Sequence, residues 1–360
     1  MKIINSNYIG KICFRAALYV FAVFVTVTLM TVGPVASQSL QSPGHWNTMK
    51  PIPQGANEVI GTAVDEKVIV YGGQLSPNIP QGLFWMYQPD ADSWIKLPTN
   101  PVPVHHAALV GIGRRLYLMG GFKLPVQGPS WVPVDNVWMF DLDTGQWKAL
   151  APMPTARGAL SAVAVGNKIY AIGGASIPSW SNQSGLLPQW PTEQSAANEV
   201  YDTLTNSWSK ASPMLTARNH LGAGFINGKI YVVGGRVGSH SSTQSANITA
   251  NEAYDVATNV WEPKTLLPTA RSGIGVVVLN GRLHVIGGEG YVGDFGGTFR
   301  THEAYEPSSN TWQRLAPMPT PRHGFAAAVA GSRIYVVSGR NVPGGGGPAV
   351  DLTANEVFLP

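Results

Sequence analysis

The sequence predicts an all-β protein built from six similar units, and three regularities lead to that prediction. Glycine (41) and proline (28) are frequent among the 360 residues, whereas charged residues make up only 12%, a composition that indicates many short strands joined by turns. Gly-Gly pairs recur at the ends of apolar runs. A tryptophan stands 26 residues before each pair, and an aromatic residue stands seven residues before each later tryptophan.

These spacings hold along the whole chain after residue 37. The repeat tryptophans are Trp46, Trp94, Trp147, Trp208, Trp261 and Trp312. The paired glycines are Gly72 and Gly73, Gly120 and Gly121, Gly173 and Gly174, Gly234 and Gly235, and Gly287 and Gly288. Ser338-Gly339 is a degenerate sixth pair, and Phe358 is a sixth aromatic residue with no tryptophan after it.

Each unit reads as four short antiparallel strands, which we name a to d. In the fifth unit the β-rich runs 273–279 and 282–286 are separated by Asn280-Gly281, a dipeptide that favours tight hairpins. The aromatic residue marks strand c, and the tryptophan opens strand d. A four-stranded sheet cannot bury both of its faces alone, so we expect the six sheets to pack around a central axis.

The two ends of the chain complete one unit between them. The segment around Trp46 supplies only a strand d, whereas residues 325–358 supply strands a, b and c without a d. We therefore expect the N-terminal strand to dock outside the strand of Phe358 and to close the ring.

An apolar run ending in Gly-Gly, then a tyrosine and then a tryptophan resembles the kelch repeat, and the match covers nearly all of residues 38–360. The period of about 50 residues fits that family. The resemblance implies a six-bladed kelch β-propeller with four antiparallel strands per blade, closed by an N-terminal outer strand.

Residues 1–37 read as a signal peptide. Lys2, Lys11 and Arg15 precede a charge-free apolar run at 16–32, and small residues follow up to Ser37, as at a cleavage site. We expect cleavage near Ser37 and a secreted or periplasmic protein with no stable membrane insertion; the alternative is an uncleaved anchor. Cleavage would remove Cys13, the only cysteine, and leave 21 basic and 20 acidic residues, a balance that speaks against nucleic-acid binding.

All variation in unit length lies between the Gly-Gly pair and the next tryptophan, so insertions fall in the b-c loops. The b-c and d-a loops emerge on the same face, which we call the loop face and regard as the binding surface. Trp131, Trp180 and Trp190 lie in these loops. Such tryptophans suit a protein or glycan ligand; the alternative is that they fasten long loops to the blades.

Two aligned positions carry opposite charges in the last four units only. Arginines stand sixteen residues before the glycine pair, and glutamates stand two residues before the aromatic residue. We favour an ion pair within a blade or between neighbouring blades, fixed by bidentate geometry; the alternative, which the kelch resemblance implies, is that the arginines hold an anionic ligand at the channel mouth. The residues are Arg157, Arg218, Arg271 and Arg322 with Glu199, Glu252, Glu303 and Glu356.

The two positions after the arginines bring further polar residues to the same region. Strand a is innermost in kelch propellers, so Glu58, His105, His106, His220 and His323 are expected near the rim of the channel. They could form a metal or acid-base site, or merely bind water. Because the sequence has no short-range ligand spacing, we expect no metal and no cofactor.

Two enzyme classes with kelch-like propellers can be compared with this chain. Copper radical oxidases need a tyrosine linked to a cysteine. We reject this class, because cleavage of the signal peptide would remove the only cysteine, Cys13. A periplasmic sugar mutarotase or epimerase of the sialic acid type remains the alternative, with Glu58, His106 and Arg157 as candidate catalytic residues. Our main hypothesis is a monomeric, exported binding module that recognises a protein or glycan on the loop face. Asn182 and Asn247 lie in glycosylation sequons, which are informative only in a eukaryote.

Overall fold

Six four-stranded antiparallel sheets make up the fold. The computed structural model describes residues 43–75, 79–124, 131–187, 190, 192–292, 295–344 and 349–360. The predicted signal peptide, residues 1–37, lies outside this range. In every sheet strand b lies between a and c, and strand d pairs with c at the outer edge. The predicted kelch-type architecture, with four antiparallel strands in each of six blades, is thus confirmed.

The strands are given in the order a to d for each blade. Blade one consists of Asn57–Val64, Lys67–Leu75, Ile79–Gln88 and Ser93–Lys96. Blade two consists of Ala108–Ile112, Arg115–Met119, Val137–Asp141 and Gln146–Ala149. Blade three consists of Ser161–Val165, Lys168–Ile172, Asn198–Asp202 and Ser207–Lys210. Blade four consists of Gly222–Ile226, Lys229–Val233, Asn251–Asp255 and Val260–Pro263. Blade five consists of Gly275–Leu279, Arg282–Ile286, His302–Glu306 and Thr311–Arg314. Blade six consists of Ala326–Ala330, Arg333–Val337, Asn355–Leu359 and His45–Met49.

The a strands form the wall of a central channel. Strand a of each blade lies against strand a of the next, and that of blade six lies against that of blade one, so the ring is closed. Small and apolar side chains line the channel, and cavities of about 160 and 260 Å³ lie along it. The hydrophobic core lies between neighbouring blades, where one face of each sheet packs on the next.

Four b-c loops carry a short hairpin that extends the loop face. Two 3₁₀ turns, Pro89–Ala91 and Ser242–Gln244, complete the secondary structure of the described residues. Within this part of the chain no helix has the length and apolar character needed to cross a membrane. The hairpins pair Phe122–Lys123 with Val132–Pro133, Ala175–Ser176 with Glu193–Gln194, Arg236–Val237 with Ala246–Asn247, and Glu289–Val292 with Phe295–Thr298.

The repeat tryptophans join neighbouring blades, which explains their constant spacing. Trp208 lies opposite Tyr201 in the c-d ladder, with ring centroids 5.2 Å apart. Its indole N–H donates to the carbonyl of Ala151, in the d-a loop that enters blade three, at 2.9 Å. The other five repeat tryptophans donate to corresponding loop carbonyls. Each indole N–H therefore has an acceptor, and the hydrogen bond fastens the blade to the connecting loop.

The second glycine of each pair is required by backbone geometry. Gly235 has a φ of +95°, and a Cβ there would lie 2.7 Å from the carbonyl oxygen of Asn219. A side chain would thus meet both a strained backbone conformation and a fixed main-chain atom. The Gly-Gly signature marks the point where strand b turns into the loop against the start of strand a.

The sixth blade closes as the sequence predicts. Trp46 pairs with Phe358 in an antiparallel ladder, and the two ring centroids are 5.3 Å apart. The Trp46 indole N–H also donates to Ala316 at 2.9 Å. The N-terminal strand is therefore tied both to strand c of blade six and to the loop that leaves blade five.

Two buried histidines lie beside this closure. His284 Nδ1 and His302 Nε2 are 2.9 Å apart, and the His302 ring lies 4.5 Å from that of Phe358 and 5.7 Å from that of Trp46. Burial, helped by the charge of Arg282, lowers the pKa of His284 to about 4. Burial and the neighbouring His284 lower the pKa of His302 well below its ordinary value, with Arg271 and Arg282 acting in the same direction.

Acidification is expected to destabilise the propeller through this pair. Below about pH 6.5 the unfolded chain protonates both histidines while the native pair stays neutral, so stability is greatest above that pH. It falls by about 1.4 kcal/mol per pH unit for each histidine as the pH approaches about 4. Urea unfolding at several pH values should give a shallower pH dependence for His302→Gln than for the wild type. The exposed His45→Gln is the matched control, and equal slopes for all three proteins would contradict the assignment.

Candidate functional site

Six equivalent residues, one per blade, form the rim of the channel just before strand a or at its start. All six have a left-handed backbone, with φ between +53° and +60°. Main-chain hydrogen bonds join several of them in sequence: His220 N–H donates to Ala159 at 2.9 Å, Gly273 to His220 at 3.2 Å, and Gly324 to Gly273 at 3.1 Å. The rim residues are Glu58, His106, Ala159, His220, Gly273 and Gly324.

Four of these positions carry side chains that the backbone disfavours, and three of the four, all except Ala159, are polar. Glycine adopts a positive φ without strain, as in blades five and six, whereas glutamate and histidine adopt it at an energetic cost. Yet Glu58, His106 and His220 converge, with one nitrogen or oxygen atom of each within 4.8 Å of the others. Glu58 Oε2 and His106 Nε2 are 3.1 Å apart. The strained positions therefore bring three polar side chains to one point.

Three further ionisable residues, Arg236, Glu289 and His323, lie beside these three. We call the six residues the rim cluster: Glu58, His106, His220, Arg236, Glu289 and His323. His323 Nε2 lies 3.4 Å from Glu58 Oε1 and 3.7 Å from Glu289 Oε2. Arg236 forms an ion pair with Glu289, and its Nη2 lies 2.8 Å from His220 Nε2. The Glu58 side chain is 11% exposed, and the other five side chains are exposed by only a few per cent.

Burial and mutual charge shift the titration of the rim cluster. Burial alone raises the pKa of Glu58, but His106 and His323 outweigh it and hold that pKa well below its usual range. Burial lowers the pKa of His323, but Glu289 and Glu58 outweigh it, so the net shift is upward. Burial and the charge of Arg236 hold the pKa of His220 well below its ordinary value. Two ionised carboxylates thus face a permanent guanidinium and an imidazole that favours its charged form.

Sequence reasoning brought Glu58, His106, His220 and His323 to the rim but missed Arg236 and Glu289. Each of these two directly follows a Gly-Gly pair and forms a β-bridge with the residue after the aligned arginine position: Arg236 with Asn219, and Glu289 with Ser272. The same position holds Gln74, Phe122, Ala175 and Arg340 in the other blades. Aligning that column would have shown two opposite charges in adjacent blades.

Loops from several blades cover the rim cluster. The Trp131 ring of blade two lies 4.9 Å from His106 and 4.8 Å from His105. The amide of Gly344 in the blade-six loop donates to Glu289 at 2.7 Å. His105 is fully buried beneath Trp131. Trp131 therefore packs on the channel mouth, as the alternative interpretation of the loop tryptophans expected.

The four aligned arginines lie inside the blades. Each is 0% exposed and forms an ion pair with the glutamate of its own blade. Arg271, for example, donates to Glu303 at 2.6 Å and to the carbonyls of Thr269 and Val285 at 3.0 Å. This geometry agrees with the interpretation that the arginines and glutamates form ion pairs, and each pair lies within one blade. It offers no exposed guanidinium at Arg157, Arg218, Arg271 or Arg322 for an anionic ligand.

The set proposed for sugar chemistry is accordingly divided. Glu58 and His106 meet in the rim cluster, whereas Arg157 bonds to Glu199 and to the carbonyls of Gly173 and Ala171 within blade three. The arginine of the rim cluster is Arg236. The aligned sequence suggested that Arg157 lies near Glu58 and His106, but its side chain points into the blade. Arg157 precedes the left-handed rim residue by two positions, and the chain changes direction only at that residue.

Comparison with known proteins agrees with this architecture. Residues 37–187 match the family model of the KLHDC2/KLHL20/DRC7 Kelch-repeats domain. Residues 217–265 and 270–319 each match the Kelch motif. Together these matches span more than half of the chain. It belongs to the kelch-repeat β-propeller proteins.

This kelch propeller spans only part of the length of the curated relatives that it matches. Kelch-like protein terF of Aspergillus terreus is 26% identical over 318 residues, which are 84% of this chain and 66% of the relative. Kelch-like protein 25 of Xenopus tropicalis is 30% identical over 223 residues, 61% of this chain and 35% of the relative. Human Kelch-like protein 23 is 25% identical over 266 residues, 72% of this chain and 42% of the relative.

The remaining residues singled out from the sequence lie on the loop face of the kelch propeller. Trp180 is 72% exposed and Trp190 is 40% exposed, so neither is packed down as Trp131 is. Asn182 is exposed close to Trp180. Asn247 is partly buried and donates to the carbonyl of Glu289 at 3.3 Å. Of the two sequons, only that of Asn182 presents an unobstructed amide.

Proposed function

We propose that this kelch propeller is an exported interaction module that binds a protein partner through its loop face. The observation that carries the proposal is the distribution of exposed apolar side chains. Of the nine large ones among the described residues, six lie in or beside b-c and d-a loops. These are Ile79, Trp180, Trp190, Leu215, Leu266 and Val350.

The same loops show little reason to be apolar for folding alone. Leu215 and Leu266 are 57% and 61% exposed in successive d-a loops, on either side of blade four. Exposed apolar groups are favoured at protein interfaces, and exposed tryptophan is among the side chains that contribute most to binding. The kelch-repeat relatives support an interaction module, and the signal-like residues 1–37 support export.

The test compares matched surface variants of the chain from residue 38. A photo-crosslinking group at position 266 should capture one reproducible partner from the secreted proteins of the source cells. Trp180→Ser and Leu215→Ser should each weaken that capture at least tenfold, as expected for contact residues of an interface. Leu204→Ser is the control, since Leu204 is 75% exposed in a c-d turn on the opposite face.

Two results would contradict the proposal. One is capture that the loop-face variants leave unchanged. The other is equal loss with Leu204→Ser, which would place the interface elsewhere. Binding to a glycan array that depends on Trp180, without protein capture, would replace the protein partner by a carbohydrate.

A further inference from the structure

We infer that Glu58, His106 and His220 form a binding site for a divalent transition-metal ion at the channel mouth, where the ion would join blades one, two and four. The inference does not depend on the proposed function. It goes beyond the sequence interpretation, which expected no metal, because the three-dimensional convergence of these side chains cannot be read from their spacing. Two imidazoles and one carboxylate are a donor set that suits Zn²⁺ and related ions.

The first argument is the position of the three donors on the backbone. Each occupies the left-handed rim position at which blades five and six have glycine and blade three has alanine. A fold requirement alone would favour glycine in every blade, since Cβ strain is then absent. Glutamate and two histidines nevertheless stand at three such positions, and their donor atoms lie within 4.8 Å of one another. This convergence indicates that the three side chains serve a binding role at that point.

The second argument is the orientation of the His220 ring. Asn219 Nδ2 donates to the carbonyl of Ser239 at 3.1 Å and also contacts Gln194 Oε1, so Asn219 Oδ1 is left as an acceptor. That oxygen faces His220 Nδ1, which must therefore carry the proton. The lone pair of His220 is then on Nε2, the atom directed into the rim cluster. A hydrogen-bond acceptor behind a histidine is the usual outer partner of a metal-binding imidazole.

The third argument concerns His106 and Glu58. Nε2 of His106 and Oε2 of Glu58 face each other at 3.1 Å. Nδ1 of His106 already faces the neighbouring His105. Either an Nε2–H that donates to the carboxylate or a metal ion must lie between His106 Nε2 and Glu58 Oε2, because two facing lone pairs would repel each other. A cavity of about 100 Å³, lined in part by Glu58, His106 and His220, adjoins them. It has room for a water molecule that would supply a fourth ligand.

Arg236 is the competing cation. Its Nη2 lies 2.8 Å from His220 Nε2 and also donates to the carbonyl of His240, while Nη1 is paired with Glu289. A metal ion on His220 would replace only the first of these contacts. Glu58 and Glu289 provide two negative charges against the ion, and His323 Nε2 lies 3.4 Å from Glu58 Oε1. The site therefore predicts that removing the Arg236 charge strengthens metal binding.

The experiment is a titration of chelator-treated protein from residue 38 with Zn²⁺ and with Co²⁺. Wild type should bind one equivalent of Zn²⁺, with a rise in melting temperature. Co²⁺ should give the visible absorption bands of a low-coordinate site containing nitrogen ligands. Glu58→Gln and His220→Ala should each weaken Zn²⁺ binding at least a hundredfold, whereas His45→Ala, which removes an exposed histidine, should leave it unchanged.

Arg236→Gln separates a metal site from a self-sufficient ion-pair network. It should bind Zn²⁺ at least tenfold more tightly than wild type if the arginine competes for His220. The inference is overturned if wild type binds neither ion at concentrations up to about 1 mM, or if Glu58→Gln and His220→Ala both leave the affinity unchanged. The wild-type titration decides the matter even if a variant does not fold.

Discussion

Removal of residues 38–50 is expected to unfold the propeller or to lower its stability by more than about 5 kcal/mol. The deletion removes strand His45–Met49, its whole ladder with Asn355–Leu359, and the packing of Trp46 on Phe358. Loss of a large packed aromatic side chain alone costs about 3–5 kcal/mol. The edge of Asn355–Leu359 would also lose its hydrogen-bond partners.

The deletion has a matched control within the same segment. A chain beginning at residue 43 keeps the contact between the Ala316 amide and the Pro43 carbonyl, at 2.9 Å, and the entire closing strand. Denaturant unfolding followed by tryptophan fluorescence should therefore give wild-type stability for the start at 43 and a large loss for the deletion through 50. Equal midpoints for the two proteins would mean that the ring is held closed by other contacts.

Replacement of Arg271 by methionine is expected to destabilise the fold by about 3–5 kcal/mol. The substitution strips Glu303, whose side chain is 4% exposed, of its only ion-pair partner among the described residues. A buried charge without its partner is far more costly than the pair was worth. The carbonyls of Thr269 and Val285 would lose their donors as well.

A double-mutant cycle distinguishes the loss of the pair from a general packing defect. Arg271→Met combined with Glu303→Leu should regain much of the lost stability, because no unpaired charge then remains. The comparison pair is Arg114 with Asp143 at 2.5 Å, where the arginine side chain is 48% exposed. Arg114→Met should change the free energy of unfolding by no more than about 1 kcal/mol. Additive losses at Arg271 and Glu303 would refute the coupling.

The blades could be predicted from the sequence because their determinants are local and repeated. The tryptophan and the aromatic residue meet the same backbone geometry six times, and the glycine pair meets it five times with Ser338-Gly339 as the sixth copy, so constant spacing records constant structure. The arginine–glutamate pairs were accessible for a related reason: both partners are present in blades three to six and absent from blades one and two. A contact that is gained or lost as a unit leaves such a trace.

The candidate site was only partly accessible to sequence reasoning. Its members come from blades one, two, four, five and six and fall at three different repeat positions, so no single aligned column contains them. The direction of each side chain depends on a left-handed residue that only the backbone reveals. Arg157 and Glu58 lie only two repeat positions apart, yet the first lies inside a blade and the second lies on the channel.

The pairing of residues 45–49 with 355–359 also bears on how the chain reaches its native state. The Asn355 side chain donates to the carbonyl of Lys50 across 305 residues of sequence, at 3.2 Å. Contacts of such sequence separation incur a large loss of chain entropy before they are stabilising, and they slow folding. Blades one to five can assemble from neighbouring segments as the chain lengthens, but the ring cannot lock until residue 359 is available. Ring closure should thus be the last and slowest folding step, and a partly synthesised chain would expose the inner edge of blade one.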